Sequence, residues 1–309
     1  MSKVSIIGAG NVGATVANVL AMEDLVNEVV LVDIKGDMAR GKALDMWEQA
    51  PIVYCSTKVT GTEDYSMTKG SDVIVITAGV PRKPGMSRDD LISINAGIVK
   101  SVTAEVMKYN ENPILIIVSN PLDVMTYAAH EASGLPKNRV MGMAGILDTA
   151  RYRAFIAEAI QVSPKDIQAV LMGGHGDTMV PLPRYTTVSG IPVRDLIDED
   201  VLQAIIERTK KGGGELVKLM GTSAWYAPGA AASQMVTAIL RDEHRIFPCC
   251  ALLEGEYGQD GIYLGVPVKL GKEGILDIIT LKLDEEESAL LKESAEHVRA
   301  VMKVYDGMK

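Results

Sequence analysis

The sequence predicts an α/β protein with a doubly wound parallel sheet in its first half and a mixed α+β arrangement in its second half. Up to about residue 143, β-branched apolar runs alternate with helical patterns, as in parallel sheets covered by helices on both faces. Beyond Gly145 long helices and closely spaced strands follow one another, which favours antiparallel pairing. We therefore expect two domains, residues 1–144 and 145–309. They should pack directly together, because no linker of disordered composition separates them.

The chain opens with a strand, a glycine turn and a helix. The apolar run 4–7 leads into Gly8-Ala9-Gly10-Asn11-Val12-Gly13, a helical pattern follows, and a second apolar run, 29–32, ends at Asp33. The first glycine permits a tight turn, the second lets the backbone approach a pyrophosphate, and the third lets the helix pack closely on the strand. The helix N-terminus offers N–H groups and a partial positive charge to phosphates.

Asp33 adds the acid that such a unit needs to bind a dinucleotide. It lies 20 positions after Gly13, the distance at which a carboxylate contacts the adenosine ribose hydroxyls. Because a carboxylate there would repel a 2′-phosphate, NAD is favoured over NADP, and only Lys35 argues for the phosphate. A glycine turn without a ligand is the alternative. We predict a Rossmann domain that binds NAD through Gly8, Ala9, Gly10, Asn11, Val12, Gly13 and Asp33.

The remainder of the first domain continues the alternation. A helix is predicted over 37–50 with Pro51 as its end, a weak strand near 56–60, a buried strand over 71–79, and a long helix over 89–109. A buried strand over 113–118 leads to Ser119-Asn120-Pro121, and a short strand near 139–143 completes the domain. Loops at the carboxyl ends of parallel strands face the ligand, so Ser119 and Asn120 should lie near the cofactor. We also predict a cis Asn120–Pro121 bond.

The second domain is predicted as helices interleaved with strands. The helices cover 148–160, 199–211 and 228–242, with a last charged helix from Asp284. The strands cover 167–172, 246–253, 262–270 and 275–279, and the first of them leads into Gly173-Gly174-His175-Gly176-Asp177.

Composition excludes several classes of function. A net charge of −9 argues against a nucleic-acid surface. No apolar run reaches the length of a membrane span, and the first strand starts almost at Met1, so we expect a cytoplasmic protein without membrane contact. The three cysteines have neither a disulfide framework nor metal-ligand spacing, so no metal site is expected.

His175 is the strongest candidate for chemistry, because glycines surround it and it follows a strand. His130, His244 and His297 lie among residues predicted helical and fit packing or surface roles. Asp148 and Arg151 are three apart at a helix start, so their side chains leave the same face. Taken alone, they would fit an N-cap and a surface ion pair. Likewise, the arginines of the loop 80–88 could be solvated charges.

Together these motifs resemble the family of L-lactate and L-malate dehydrogenases over essentially the whole chain. The resemblance rests on the glycine turn, Asp33, Thr77-Ala78-Gly79, the loop from Arg82 to Arg88, Ser119-Asn120-Pro121, Asp148-Thr149-Ala150-Arg151 and the glycine-rich turn of His175. It implies His175 as proton donor and acceptor, Asp148 as its partner, and Arg151 as the group that binds the substrate carboxylate. It further implies that Arg88 polarises the carbonyl, that Asn120 contacts substrate and nicotinamide, and that Asn95 and Val118 contact the cofactor.

The resemblance also implies a substrate. The family distinguishes malate from lactate at the loop position that Arg82 occupies here, where lactate enzymes have glutamine, so a dicarboxylate such as malate or oxaloacetate is expected. It suggests a homo-oligomer as well, with a tetramer favoured over a dimer. Three alternatives stay open: a lactate or broad 2-hydroxy acid dehydrogenase, an NAD-dependent glycosidase, which would need a metal, and an NAD sensor without turnover.

Overall fold

The structure of the chain, a computed structural model, describes residues 2–81 and 88–308. That part contains eight α-helices and fourteen strands. The helices are α1 (Asn11–Met22), α2 (Gly36–Val53), α3 (Arg88–Met107), α4 (Leu122–Ser133), α5 (Gly145–Ile160), α6 (Glu199–Met220), α7 (Tyr226–Leu240) and α8 (Glu285–Asp306). The strands are β1 (Lys3–Ile7), β2 (Glu28–Val32), β3 (Lys58–Thr62), β4 (Val73–Ile76), β5 (Ile114–Ile117), β6 (Val140–Gly142), β7 (Ile167–Gln168), β8 (Leu171–Met172), β9 (Val180–Pro181), β10 (Thr187–Val188), β11 (Ile191–Pro192), β12 (Arg245–Glu254), β13 (Asp260–Gly271) and β14 (Gly274–Ile278).

The first six strands form a parallel sheet in the order β3-β2-β1-β4-β5-β6. This is the strand order of doubly wound dinucleotide-binding folds. Strands β4 and β5 are buried along their whole length, because helices cover the sheet on both faces. The fold class predicted for the first half is confirmed.

The second half extends the same sheet. Strand β12 pairs antiparallel with β6, where Cys250 faces Gly142, and β13 and β14 follow in antiparallel order. Within the described residues the result is one sheet of nine strands that runs through both predicted domains. Two small antiparallel sheets, β7-β10-β11 and β8-β9, complete the mixed second half, and α5 and α6 share a separate apolar core there.

Some predicted elements differ in extent from the structure. Helix α2 continues past Pro51 to Val53. A proline in the last turn removes only one helical hydrogen bond, so the helix tolerates it there. The run 167–172 divides into β7 and β8, which belong to different sheets. Helix α6 extends through Gly212 to Met220 instead of ending at Lys211, and Gly212 is buried beside Arg151 of the neighbouring helix α5.

The last helix begins as the sequence predicts. The carboxylate of Asp284 accepts the Glu287 N–H at 2.9 Å, and the Glu287 carboxylate accepts the Asp284 N–H at 3.0 Å. This reciprocal capping fixes the start of α8. Of the helices described, none is both long and apolar enough to cross a bilayer.

Candidate active site

The glycine turn between β1 and α1 is shaped as its sequence predicts. Gly8 has a φ of +109°, in the region that favours glycine. A Cβ on Gly13 would overlap the Gly8 carbonyl oxygen, so only glycine lets α1 approach the strand this closely. A Cβ on Gly10 would meet nothing within 4 Å. The turn therefore presents bare backbone to open space beside the uncapped N-terminus of α1, a cradle that suits a phosphate.

Asp33 lies against this turn, immediately after β2. Its Oδ2 accepts the Ala9 N–H at 2.7 Å, and its Oδ1 accepts the Lys35 N–H at 2.9 Å. The acid thus stands beside the glycine turn, where an adenosine ribose would have to lie if a pyrophosphate occupied the cradle.

The loops after β4 and β5 meet at the same edge of the sheet. The Thr77 hydroxyl donates to the Gly8 carbonyl at 3.1 Å, and the Ser119 hydroxyl donates to the Ala78 carbonyl at 2.6 Å. Asn95, on α3, donates to the Asn120 carbonyl at 2.7 Å. The structure thus brings the predicted cofactor contacts Asn95, Ser119 and Asn120 together. Val118 lies in the same strand end, and its N–H donates to the Ile76 carbonyl at 2.9 Å. The predicted cis Asn120–Pro121 bond is confirmed.

His175 and Asp148 form a hydrogen-bonded pair. His175 lies in the turn after β8, between Gly173 at φ +85° and Gly176 at φ +138°. Its Nδ1 lies 2.8 Å from Asp148 Oδ2, and the two side chains are 20% and 3% exposed. Because a buried carboxylate accepts from Nδ1–H, the tautomer that fits leaves Nε2 to exchange a proton with a ligand.

Arg151 binds the other oxygen of the same carboxylate. Its Nη1 donates to Asp148 Oδ1 at 3.0 Å, and its side chain is 13% exposed. Its Nε is buried without a hydrogen-bond partner among the described residues. An anion that reaches the guanidinium would supply acceptors that the protein does not. A Cβ on Gly212 would lie 3.1 Å from the Arg151 Cδ, so α6 leaves just enough room for this side chain.

Asp148 is not an N-cap. Helix α5 begins at Gly145 with Ala144 as its N-cap, so Asp148 lies inside the first turns and is buried. Arg151 is correspondingly not a surface ion-pair partner. Of the histidines predicted helical, His130 and His297 lie in α4 and α8, whereas His244 lies outside any helix with a φ of +55°.

Opposing effects set the protonation of His175. Burial lowers the pKa of His175, while the charge and hydrogen bond of Asp148 and the charge of Asp123 raise it, and Arg151 lowers it. The acids prevail, so the pKa of His175 lies above its ordinary value. The cluster therefore favours the imidazolium, the form that donates a proton.

A cleft of about 430 Å³ lies beside His175, with Asn120, Asp177 and His297 among its lining residues. A larger groove, of about 760 Å³, lies at the opposite, amino edge of the sheet and holds none of these groups. Arg82 lies outside the described residues. Arg88 is the first residue of α3, but its side chain also lies outside them. In residues 2–81 and 88–308 no three histidine, cysteine or acidic side chains are placed to bind a metal ion.

Two side chains that contact this site were not among the predicted site residues. Lys42 donates to the Ala9 carbonyl at 2.7 Å, and Asp123 accepts the main-chain N–H of His175 at 3.1 Å. Lys42 lies in a predicted helix and Asp123 in α4, and neither belongs to a glycine-rich turn. A charged residue two positions after Pro121, among the apolar residues of 122–125, is the signal that could have indicated Asp123.

Comparison with known proteins places this geometry in a family. The model of the lactate/malate dehydrogenase NAD-binding domain matches residues 2–142, and that of the lactate/malate dehydrogenase α/β C-terminal domain matches residues 146–306. A malate dehydrogenase from Cytophaga hutchinsonii is 66% identical over 307 residues, which cover 99% of this chain and 98% of the relative.

Solved structures agree. A malate dehydrogenase from Salinibacter ruber has a TM-score of 0.96 and 57% identity, covering 99% of this chain and 98% of the other. A lactate dehydrogenase from Cryptosporidium parvum, in complex with lactic acid and nicotinamide adenine dinucleotide, has a TM-score of 0.95 and 40% identity, with coverage of 99% and 98%. The two-part match and the shared fold together establish that the chain belongs to the lactate/malate dehydrogenase family.

Proposed function

We propose that the chain is an NAD-dependent oxidoreductase that interconverts malate and oxaloacetate, a reaction of the tricarboxylic acid cycle. The observation that carries this proposal is the cluster of His175, Asp148 and Arg151, in which one buried carboxylate holds an imidazole at 2.8 Å and a guanidinium at 3.0 Å. Oxidation of a 2-hydroxy acid needs a base for the hydroxyl proton and a cation for the carboxylate. Both are present in one cluster, in a family whose relatives include malate dehydrogenases.

The glycine turn fits NAD. The open space at Gly10, the uncapped helix N-terminus and the nearby Asp33 suit a pyrophosphate and an unphosphorylated ribose. Bound there, the oxidised cofactor would supply the hydride acceptor for malate oxidation, and its reduced form would supply the hydride donor for oxaloacetate reduction. We propose that the cofactor is held by Gly8, Ala9, Gly10, Asn11, Val12, Gly13, Asp33, Asn95, Val118, Ser119 and Asn120.

His175 moves the proton. During malate oxidation its Nε2 takes the hydroxyl proton, and the imidazolium that forms is stabilised by Asp148 across the Nδ1 hydrogen bond. In the reverse direction the same nitrogen donates. General acid–base catalysis of this kind contributes about 10²–10⁴-fold. Because the pKa of His175 is raised, the protonated form needed for oxaloacetate reduction persists to higher pH than in an isolated histidine.

Arg151 binds the carboxylate next to the reacting carbon. Its guanidinium is largely shielded from solvent and held by Asp148, so it is already oriented when the substrate arrives. A planar guanidinium bonds two carboxylate oxygens at once, which fixes the substrate's direction. Asn120 would contact the substrate beside it, and Arg88 would polarise the carbonyl that receives the hydride.

The choice of malate over lactate depends on Arg82. A guanidinium at this position supplies a partner for the second carboxylate of oxaloacetate, and pyruvate would leave it unpaired. The fold does not discriminate, because malate and lactate dehydrogenases superpose on the chain almost equally well.

Three further features belong to the proposal. The chain divides functionally into residues 1–144 for the cofactor and 145–309 for the substrate, and it acts in the cytoplasm. It also forms a homo-oligomer, with a tetramer favoured over a dimer. Helix α2 carries three exposed apolar side chains, Leu44, Trp47 and Ile52, which such an interface would cover. Light scattering tests this: a mass of one chain would contradict it.

The decisive assay follows NADH absorbance after the protein is mixed with oxaloacetate or with pyruvate, with and without a chelator. We expect rapid NADH oxidation with oxaloacetate, a much lower specificity constant with pyruvate, and no effect of the chelator. A preference for pyruvate would favour the lactate dehydrogenase alternative. No consumption of NADH with either acid would leave an NAD sensor, and a loss of activity with the chelator would indicate metal chemistry.

A further inference from the structure

Asp123 is a buried acid outside the residues to which the proposed function gives a role. It lies in the first turn of α4 and is 7% exposed. Its Oδ2 accepts the His175 main-chain N–H at 3.1 Å, and its Oδ1 accepts the Cys250 thiol at 3.2 Å. Two groups that donate to its two oxygens are the pattern of an ionised carboxylate.

Several partners of Asp123 favour that form against the effect of burial. Burial is the larger effect and leaves the pKa of the Asp123 carboxyl above its ordinary value, although the Cys250 thiol, the positive charge of His175 and the His175 amide each lower it. Burial also raises the pKa of the Cys250 thiol, so this group remains a donor. The first turn of a helix favours a negative charge as well.

Asp123 supports the turn of His175 from the side opposite to Asp148. Asp148 holds the ring, whereas Asp123 holds the main chain of the same residue. The adjacent amide of Gly174 is held by a neutral group, the Ser294 hydroxyl at 2.9 Å. The main chain of the turn is thus held by the Asp123 carboxylate and by the uncharged Ser294 hydroxyl. Replacing each in turn separates the effect of the charge from the effect of losing a hydrogen bond.

The formal charges around His175 show how Asp123 affects the protonation of the imidazole. The groups that face His175 are Asp148 and Arg151 on α5 and Asp123 on α4, and Asp177 and His297 line the same cleft. When His175 is neutral, the formal charges of Asp148, Arg151 and Asp123 sum to −1. Protonation of His175 brings this sum to zero, and without the charge of Asp123 it would bring it to +1.

We propose that Asp123 is a positioning residue, which fixes the His175 turn through its main chain and supplies a second negative charge that favours the imidazolium. This inference rests on the proposed function of His175. It assigns the fine adjustment of the proton donor to a residue that acts through His175.

The test compares Asp123→Asn with Ser294→Ala as a matched control over a range of pH. Asparagine keeps an acceptor for the His175 amide and removes the charge, whereas Ser294→Ala removes a neutral bond to the same turn. Rates are expressed per NADH-binding site, so that a partly unfolded preparation does not distort them. For oxaloacetate reduction at a pH below the pKa of His175, we expect Asp123→Asn to retain turnover within roughly tenfold of the parent. The loss of one charge-assisted contact has an effect of that order.

The test depends on the pH at which the rate of each reaction falls, which we call the limb of its pH profile. Oxaloacetate reduction needs protonated His175, so its rate falls as pH rises through the pKa of His175. In Asp123→Asn this pKa is lowered, and the fall comes at lower pH. Malate oxidation needs the neutral form, so its acid limb also moves to lower pH. In Ser294→Ala both limbs stay where the parent has them, whatever the loss of rate. Limbs of Asp123→Asn at the parental pH would overturn the proposal.

A second variant covers the case in which Asp123→Asn does not fold. Cys250→Ala removes the thiol that donates to Asp123, which raises the pKa of Asp123 and weakens its charge as pH falls. The acid limb of malate oxidation should then also move to lower pH, and an unmoved limb would count against the inference. If the parent protein consumed no NADH with oxaloacetate, the proposed function would fail first, which is a distinct result.

Discussion

Replacing Asp148 by asparagine should disable the acid–base pair while leaving the cofactor site intact. The carboxylate is 3% exposed and accepts from His175 at 2.8 Å and from Arg151 at 3.0 Å. An amide of the same size has one oxygen for these two donors. If the oxygen faces His175, the amide N–H groups oppose Arg151. If it faces Arg151, an N–H group meets Nδ1 and imposes the wrong tautomer on the ring.

Either arrangement breaks a buried, hydrogen-bonded charge pair. Truncating one partner of such a pair costs about 2–5 kcal/mol, and about 1.4 kcal/mol corresponds to a factor of ten. We therefore expect Asp148→Asn to lower kcat/KM for oxaloacetate by about 30-fold to several thousand-fold. NADH binding should stay within a factor of two or so, because the glycine turn does not contact Asp148.

The assay measures steady-state oxaloacetate reduction together with NADH binding by fluorescence. Asp166→Asn is the matched control, since this acid is exposed in the same half of the chain, and it should behave as the parent. A specificity constant of Asp148→Asn within threefold or so of the parent would refute the reasoning, because Asp148 could then be neither the partner of His175 nor the anchor of Arg151.

Three further substitutions test the cofactor and substrate sites. Asp33→Ser should weaken NAD binding and relax discrimination against NADP, with the exposed Asp37→Ser as control; an unchanged preference in a binding titration would show that Asp33 does not meet the ribose. Arg82→Gln should lower kcat/KM for oxaloacetate by about 30-fold to several thousand-fold and raise it for pyruvate; the parental ratio of the two constants would assign the second carboxylate to another residue. Gly13→Ala places a Cβ on a backbone oxygen, so it should destabilise the fold by about 1–3 kcal/mol and weaken NADH binding. The control Gly41→Ala, where nothing lies within 4 Å of the added Cβ, should do neither. Equal denaturation midpoints for the two variants would contradict the close packing at Gly13.

Local patterns predicted the cofactor half well. The roles of Gly8 and Gly13 follow from the conformation and close packing that a strand–turn–helix unit imposes within ten residues, and the position of Asp33 follows from the length of the helix and strand between them. The structure agrees with both, since Gly8 takes a positive φ and Asp33 contacts the turn. The glycine turn and the position of Asp33 depend on few residues that lie close together along the chain, so the sequence pattern predicts them.

The pairing of His175 with Asp148 could not be read from spacing alone. The two residues are 27 positions apart, and helical periodicity related only Asp148 to Arg151. Their meeting was expected from the resemblance to a family. Asp123 was missed because its partners, His175 and Cys250, lie 52 and 127 positions away.

Long-range pairing also explains the errors in the fold. The pattern of residues 246–253 predicted a strand, but nothing in it named β6 as the neighbour, so the continuous sheet was not foreseen. The helix predicted over 199–211 stops short of the glycines at 212–214, whereas α6 continues to Met220, and the missing side chain at Gly212 leaves room for Arg151. A residue that looks like an interruption in the sequence is here a packing requirement of the site.

The proposed role of His175 is tested most directly by measuring turnover and NADH binding on one preparation of His175→Asn beside the parent. We expect the variant to bind NADH nearly as the parent does, because the residues proposed to hold the cofactor lie elsewhere, while oxaloacetate reduction falls by at least about 10²-fold. Turnover equal to that of the parent would remove His175 from the chemistry. It would also remove the basis for the roles assigned to Asp148 and Asp123.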